Sequence, residues 1–208
     1  MTQPRKQAGF TLVEIAIVLV IVGLLLGAVL KGQELIFNSK VKATFNMSKE
    51  FAAAISGYQD RYKVLPGDDA TAAARFPTYN PVPTNGNGNG TIQWQAFPCQ
   101  VASVGENCQV FLHLRAAGFV SGTGAEGAMT PFGSSTAIAA SLQLFLATGN
   151  NPVFAIQNTG ITHKVAVAID TAFDDGDPTR GSFRCLNLAA YNNAALETTV
   201  PDLCSIQM

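Results

Sequence analysis

From Phe10 to Leu30 the chain runs through 21 residues of nearly pure hydrocarbon, and the one ionisable group among them is Glu14. As a helix rising 1.5 Å per residue this stretch would extend roughly 31 Å, about the thickness of a bilayer's apolar core. A carboxylate in such a span costs ~2.5 kcal/mol or more at mid-bilayer and less toward the interface, and intramembrane ionisable groups are functional by default. Ahead of the span, Met1–Gly9 holds Arg5 and Lys6 and no acidic residue. Those charges predict that the N-terminal end stays cytoplasmic and that everything beyond Lys31 lies outside. A general secretory signal would place a small-residue cleavage site after the apolar segment. Leu30-Lys31-Gly32-Gln33 offers none; the polar-to-apolar junction is at Gly9/Phe10 instead. On composition alone an ordinary signal anchor stays open.

Past Lys31 the pattern becomes amphipathic. Phe37, Val41, Phe45, Phe51, Ile55, Tyr58 and Tyr62 recur at mostly three- and four-residue steps, with Lys, Glu, Asn and Gln between them. No proline falls between Phe10 and Leu65, and Pro66-Gly67 supplies a stop. One helix over that range would reach ~80 Å, and the aromatic stripe of its outer half needs a partner.

The rest is about one domain's worth of chain. With 13 Lys+Arg against 14 Asp+Glu, no specific nucleic-acid partner is expected. Residues 66–98 read as an irregular connection, with Asn85-Gly86-Asn87-Gly88-Asn89-Gly90 as a flexible surface loop. Ala70–Arg75 follows a plausible cap. Gln109–Gly118 reads as a short helix with His113 a surface or capping residue beside its apolar face, and His163 reads the same way. Pro152–Gln157, Lys164–Ile169 and Ser182–Leu188 carry strand-favouring residues, while Ile138–Leu146 fits strand or helix. The fold class expected is α+β: a long N-terminal spine packed against a small antiparallel sheet. Cys99, Cys108, Cys185 and Cys204 lack any CxxC, so two disulfides are expected rather than zinc. Three connectivities are open, the local one preferred. Asp170-Thr171-Ala172-Phe173-Asp174-Asp175-Gly176-Asp177 offers a calcium candidate in Asp174, Asp175 and Asp177, against the plainer reading of a solvated turn. No other cofactor is expected. No nucleophile–base spacing or pair of facing carboxylates is found, so the chain is expected not to be an enzyme.

Gly9-Phe10-Thr11-Leu12-Val13-Glu14-Ile15, after a short basic leader and before the apolar span, resembles the processing and methylation motif of type IV pilins and type II secretion pseudopilins. The resemblance covers about the first 25 residues. It implies cleavage between Gly9 and Phe10 by a membrane-embedded prepilin peptidase, N-methylation of Phe10, and pairing of Glu14 with a neighbouring subunit's N-terminal amine. It also implies the pilin fold, with a leader over 1–9, a membrane and filament-core helix over 10–30, its amphipathic continuation over 31–65 and an extracytoplasmic loop-rich β domain over 66–208. The segment from Cys185 to Cys204 resembles the disulfide-closed C-terminal loop of many pilins, and the calcium candidate at Asp174, Asp175 and Asp177 is similar to the calcium-binding C-terminal loop of some secretion pseudopilins. Lys31 stands near where many major pilins have proline, which points toward a minor pilin or a pseudopilin. The partners implied are other subunits, the peptidase, an inner-membrane assembly platform and, before assembly, lipid. The expected location is the bacterial inner membrane, single-pass, and then an extracytoplasmic filament. A membrane-anchored extracytoplasmic enzyme or binding protein is the alternative from another class.

Overall fold

A run without proline, rich in Leu, Val, Ile and Ala, satisfies its backbone hydrogen bonds most directly as a helix, and α1 spans Leu12–Tyr62. The computed structural model describes residues 11–93, 99–100, 104–134, 136–139, 153–157, 161–177, 180–185 and 203–207. By its contacts the chain divides into two units, residues 1–39 and 40–208, and α1 contributes to each. In the first unit the large apolar residues from Leu12 to Ile36 are bare, from Val22 at 44% to Leu12 at 90% exposure. Among the described residues, α1 is the helix long and apolar enough to cross a bilayer.

In the second unit α1 buries Val41, Thr44, Ser48, Phe51, Ala54, Ile55 and Tyr58, which recur at helical spacing and so define one face. After α1 come α2 (Ala72–Arg75), α3 (Glu106–Ala116), β1 (Thr136–Ala139), β2 (Val153–Gln157), α4 (His163–Phe173), β3 (Phe183–Cys185) and β4 (Leu203–Gln207). The strands form an antiparallel sheet in the order β1-β2-β4-β3. Its register places Thr136 opposite Ile156, Val153 opposite Gln207 and Phe183 opposite Ile206. The fold is α+β. Rings of the α1 stripe meet residues of two of the later helices as well as Phe76 and Phe119 of the connecting chain. Phe51 meets Phe111 of α3 edge-on at 5.2 Å, and Phe45 stacks on Phe173 of α4 at 4.0 Å. These helices in turn pack on β1 and β3 respectively.

Two segments differ from the sequence reading. Lys164–Ile169, expected as a strand, lies in α4: Val165, Ala166, Ile169 and Asp170 are buried at helical spacing, so packing outweighs β-propensity. The α3 helix, expected to show one apolar face, is buried from Glu106 to Arg115. His113 is therefore not a surface residue; nor is His163, which is 1% exposed. The Gly67 N–H donates to His113 Nδ1 at 2.9 Å, so the ring proton sits on Nε2 and donates to Thr84 O at 2.9 Å. Burial pushes the His113 pKa down, against the raising effect of the Thr84 carbonyl. Residues 140–146 of the ambiguous stretch and 186–188 of the last expected strand lie outside the described residues.

The polar interior begins where α1 ends. Lys63 takes φ +60, and the chain turns back through Pro66-Gly67 to Asp68 and Asp69. Asp69 accepts four hydrogen bonds: from Tyr58 Oη at 2.7 Å, Thr71 N–H at 2.8 Å, Thr71 Oγ1 at 2.7 Å and Arg75 Nε at 3.0 Å. The Arg75 guanidinium also lies 4.5 Å over the Tyr62 ring. Burial opposes ionisation of Asp69, but the donors outweigh it and bring its pKa from 3.8 down to about 2. Desolvation and the Asp69 carboxylate push Tyr58 upward. The Asn-Gly loop, expected to be flexible, is tied down. Asp68 accepts from Asn89 N–H at 3.0 Å and Gly90 N–H at 2.7 Å, while Glu106 accepts from Asn87 N–H at 3.0 Å and Gln93 N–H at 2.9 Å.

A group whose folded pKa lies below its unfolded value contributes stability above the unfolded pKa and loses it as pH falls through the folded one. Asp69 therefore contributes fully above about pH 4 and loses its contribution, on the order of 1–2 kcal/mol, as pH falls toward about 2. His113, also depressed, begins to lose its own contribution below about 6.5. Denaturant melts against pH should show the Asp69 step in the wild type and not in Asp69→Asn; an unchanged acid limb in the variant would refute this assignment.

Candidate functional site

A helix leaves its first four N–H groups without intrahelical partners, and in a membrane segment water is not there to take them. Thr11 precedes the first helical residue, and Glu14 stands at the third position of α1. Thr11 N–H and Oγ1–H both donate to Glu14 Oε2, at 2.8 and 2.7 Å, and Glu14 N–H donates to Thr11 Oγ1 at 3.3 Å. This reciprocal arrangement is a capping box. Glu14 is read from the sequence as a lone carboxylate; the structure gives it Thr11 as partner. The Thr-x-x-Glu spacing of Thr11-Leu12-Val13-Glu14 carried that signal. Among the described residues no partner takes the second oxygen, Oε1. Gly9 and Phe10, the expected processing residues, lie outside the described residues.

Residues 4–30 match the family model of the prokaryotic N-terminal methylation motif. The chain carries a pilin-type N-terminus. That motif is the signature of type IV pilins and pseudopilins, and Glu14 with its Thr11 cap lies inside it. Together with the bare apolar helix it marks the N-terminus as a membrane-anchoring segment of a pilin-like or pseudopilin protein, one that assembles with other such subunits. Comparison with curated proteins and with solved structures returned no match.

The remaining candidate residues lie in the pilin-like chain's second unit. Cys99 is joined to Cys108 and Cys185 to Cys204, the local one of the three possible connectivities. The first bridge ties residue 99 to the opening turn of α3. The second links residues directly opposite on β3 and β4. At the acidic loop the structure gathers Asp170, Asp174 and Asp175, with ligand oxygens within 4.8 Å of one another. Asp177 is placed apart from them, 3.4 Å from Arg180 Nε. Asp170, in the last turn of α4, belongs to the cluster in its place, because one helical turn brings it beside Asp174. Asp170 Oδ1 accepts from Gly176 N–H at 3.1 Å and Asp174 Oδ2 from Phe183 N–H at 2.7 Å, so both carboxylates also stitch the loop to its neighbours.

Thr11→Val keeps the side-chain shape and removes the hydroxyl of the cap. It should cost about 1 kcal/mol of local helix stability. Amide hydrogen exchange of residues 12–15 in detergent micelles should accelerate by roughly fivefold while residues 20–30 stay protected; equal protection in variant and wild type would show that the cap contributes nothing there.

Proposed function

We propose that this chain is a structural, non-enzymatic subunit of a type IV pilus-type filament, a minor pilin. On this reading it is inserted in the bacterial inner membrane with Arg5 and Lys6 cytoplasmic, and prepilin peptidase cuts it between Gly9 and Phe10. The new Phe10 amine is methylated, and an inner-membrane assembly platform adds the subunit to the filament through α1. The observation that carries the reading is Glu14, a carboxylate at the start of a bare apolar helix with one oxygen taken by Thr11 and the other open. Cleavage would leave an ammonium group on Phe10, four residues earlier. Opposite charges attract more strongly in low dielectric than in water, and desolvation offsets part of the gain. A subunit that sets its amine against a neighbour's Glu14 relieves a desolvation cost that each carries alone. Apolar helices would exchange lipid contacts for one another at the filament core, and Lys31 in place of proline supports a minor subunit.

A second reading, a type II secretion pseudopilin, is favoured by the Asp170, Asp174 and Asp175 cluster. Calcium titration of the intact chain in detergent discriminates: a rise in Tm that a chelator reverses favours the pseudopilin, and a flat response favours the pilus subunit.

Two tests address the assembly mechanism. Glu14→Ala should stay membrane-inserted yet be depleted at least tenfold from sheared filaments; wild-type incorporation would remove the role given to Glu14. Mass spectrometry should find the wild-type chain beginning at Phe10 and Gly9→Leu uncut, and an uncut wild-type chain would sink the pilin reading.

A further inference from the structure

The loop over residues 85–90 repeats one dipeptide three times: Asn85-Gly86, Asn87-Gly88 and Asn89-Gly90. Such a pair is chemically labile. The glycine nitrogen attacks the asparagine Cγ, unhindered by any Cβ, and passes its proton to solvent. A C–N bond forms to close a succinimide ring, and the side-chain amide leaves as ammonia. Water then opens the ring to aspartate or isoaspartate, with no change of oxidation state. The fold cannot avoid this liability by replacing the glycines. Gly88 and Gly90 take φ +72 and +82, and a Cβ on Gly86 would overlap the Asp68 backbone. All three asparagines are exposed to solvent.

Every attacking nitrogen is nonetheless committed elsewhere. Gly86 N–H donates to Asp69 O at 2.9 Å, Gly88 N–H to Asp68 O at 3.1 Å and Gly90 N–H to Asp68 Oδ2 at 2.7 Å. The asparagine side chains are held in orientation too. Asn85 Oδ1 accepts from Ala73 N–H, Asn87 Oδ1 from Asn89 N–H, and Asn89 Oδ1 from both the N–H and the hydroxyl of Thr91. Cyclisation requires the glycine nitrogen to lose its proton and swing onto Cγ. A hydrogen bond to an acceptor opposes the swing, and a carboxylate acceptor also opposes loss of the proton.

We propose that Asp68 and Asp69 act as a clamp that prevents the three Asn-Gly pairs from cyclising, and that Asn89 is the deamidation site released when the clamp loosens. The three pairs differ in what holds them. Gly86 and Gly88 are bound to main-chain carbonyls, which no side-chain substitution removes. Gly90 is bound to the Asp68 carboxylate, which also holds Asn89 N–H. Conversion of Asn89 would add a negative charge beside Asp68, and isoaspartate would lengthen the backbone by a methylene, so the product does not fit the loop that formed it. The clamp acts in the folded subunit whether or not the chain enters a filament.

The test is peptide mass mapping with isoaspartate detection, on the intact chain in detergent held in mildly alkaline buffer. In the native wild type all three pairs should convert at least roughly tenfold more slowly than in urea. In Asp68→Ala, Asn89 should speed up by roughly tenfold over the wild type and Asn85 by less than about twofold, as expected for loss of a hydrogen bond to a charged acceptor. Equal acceleration at all three pairs in a folded Asp68→Ala overturns the proposal. If that variant does not fold, the wild type decides: equal rates in native buffer and in urea overturn the clamp, and slow native conversion upholds it.

Discussion

The hydrogen bond from Tyr58 to Asp69 fixes where the chain goes once it leaves its long helix. α1 ends at Tyr62, and Asp69 lies on the returning strand of chain, seven residues on. Anchoring Asp69 to the helix face places Asp68 where it collects the amides of Asn89 and Gly90. It also places Gly67 where its N–H reaches His113, 46 residues away, and the same imidazole then holds Thr84. A buried charge without donors would be prohibitively costly, so these carboxylates and the irregular loop require each other. The loop's amides have no ladder to join, and among the described residues no cation pairs with Asp68 or Glu106. Each solves the other's desolvation. Asp69 draws on hydroxyl, amide and guanidinium donors together, which is why its ionised form is favoured although the group is buried.

What could be read from residues alone follows from range. The spine is legible because an apolar span passes directly into a helical period, with no proline between Phe10 and Leu65. β2 and β3 are legible because short β-branched or alternating runs sit between turn formers. The segment over 164–169 is not, since Lys-Val-Ala-Val-Ala-Ile fits either state. Only its position against β3 and against Phe45 makes the helical register of Val165, Ala166 and Ile169 the buried one. His113 defeats local reading for the same reason, because both its partners lie on chain far from α3. The Asn-Gly loop shows the complementary failure. Its composition correctly forbids helix and strand, but says nothing about the two acidic side chains elsewhere, Asp68 and Glu106, that order it.

At the candidate site the division is similar. Glu14 is conspicuous because nothing else in its stretch is charged, and the leader, junction and span occur in an order few other sequences share. Thr11 is less conspicuous, since a hydroxyl beside an apolar run seems incidental until the three-residue spacing is read as a cap. Asp170 is hidden because Lys164–Ile169, just before it, reads locally as a strand, and only the helix that forms there gives Asp170 its one-turn relation to Asp174.

The contrast between Glu14 and the other carboxylates gives the functional reading its physical edge. In the second unit Asp68, Asp69 and Glu106 each use both oxygens on donors from their own chain. Exposed carboxylates such as Glu50 and Asp60 have water. Glu14 is in neither position. Thr11 takes one oxygen, and a residue at the head of a lipid-facing helix has limited water for the other. Eliminating the carboxylate would cost only a cap worth about 1 kcal/mol, less than the penalty of carrying it deep into a bilayer. A cap alone therefore does not account for Glu14, since Thr11 or a neutral glutamine could serve that purpose. An ammonium donor supplied by a second chain does account for it, and that is the partner the proposed assembly brings.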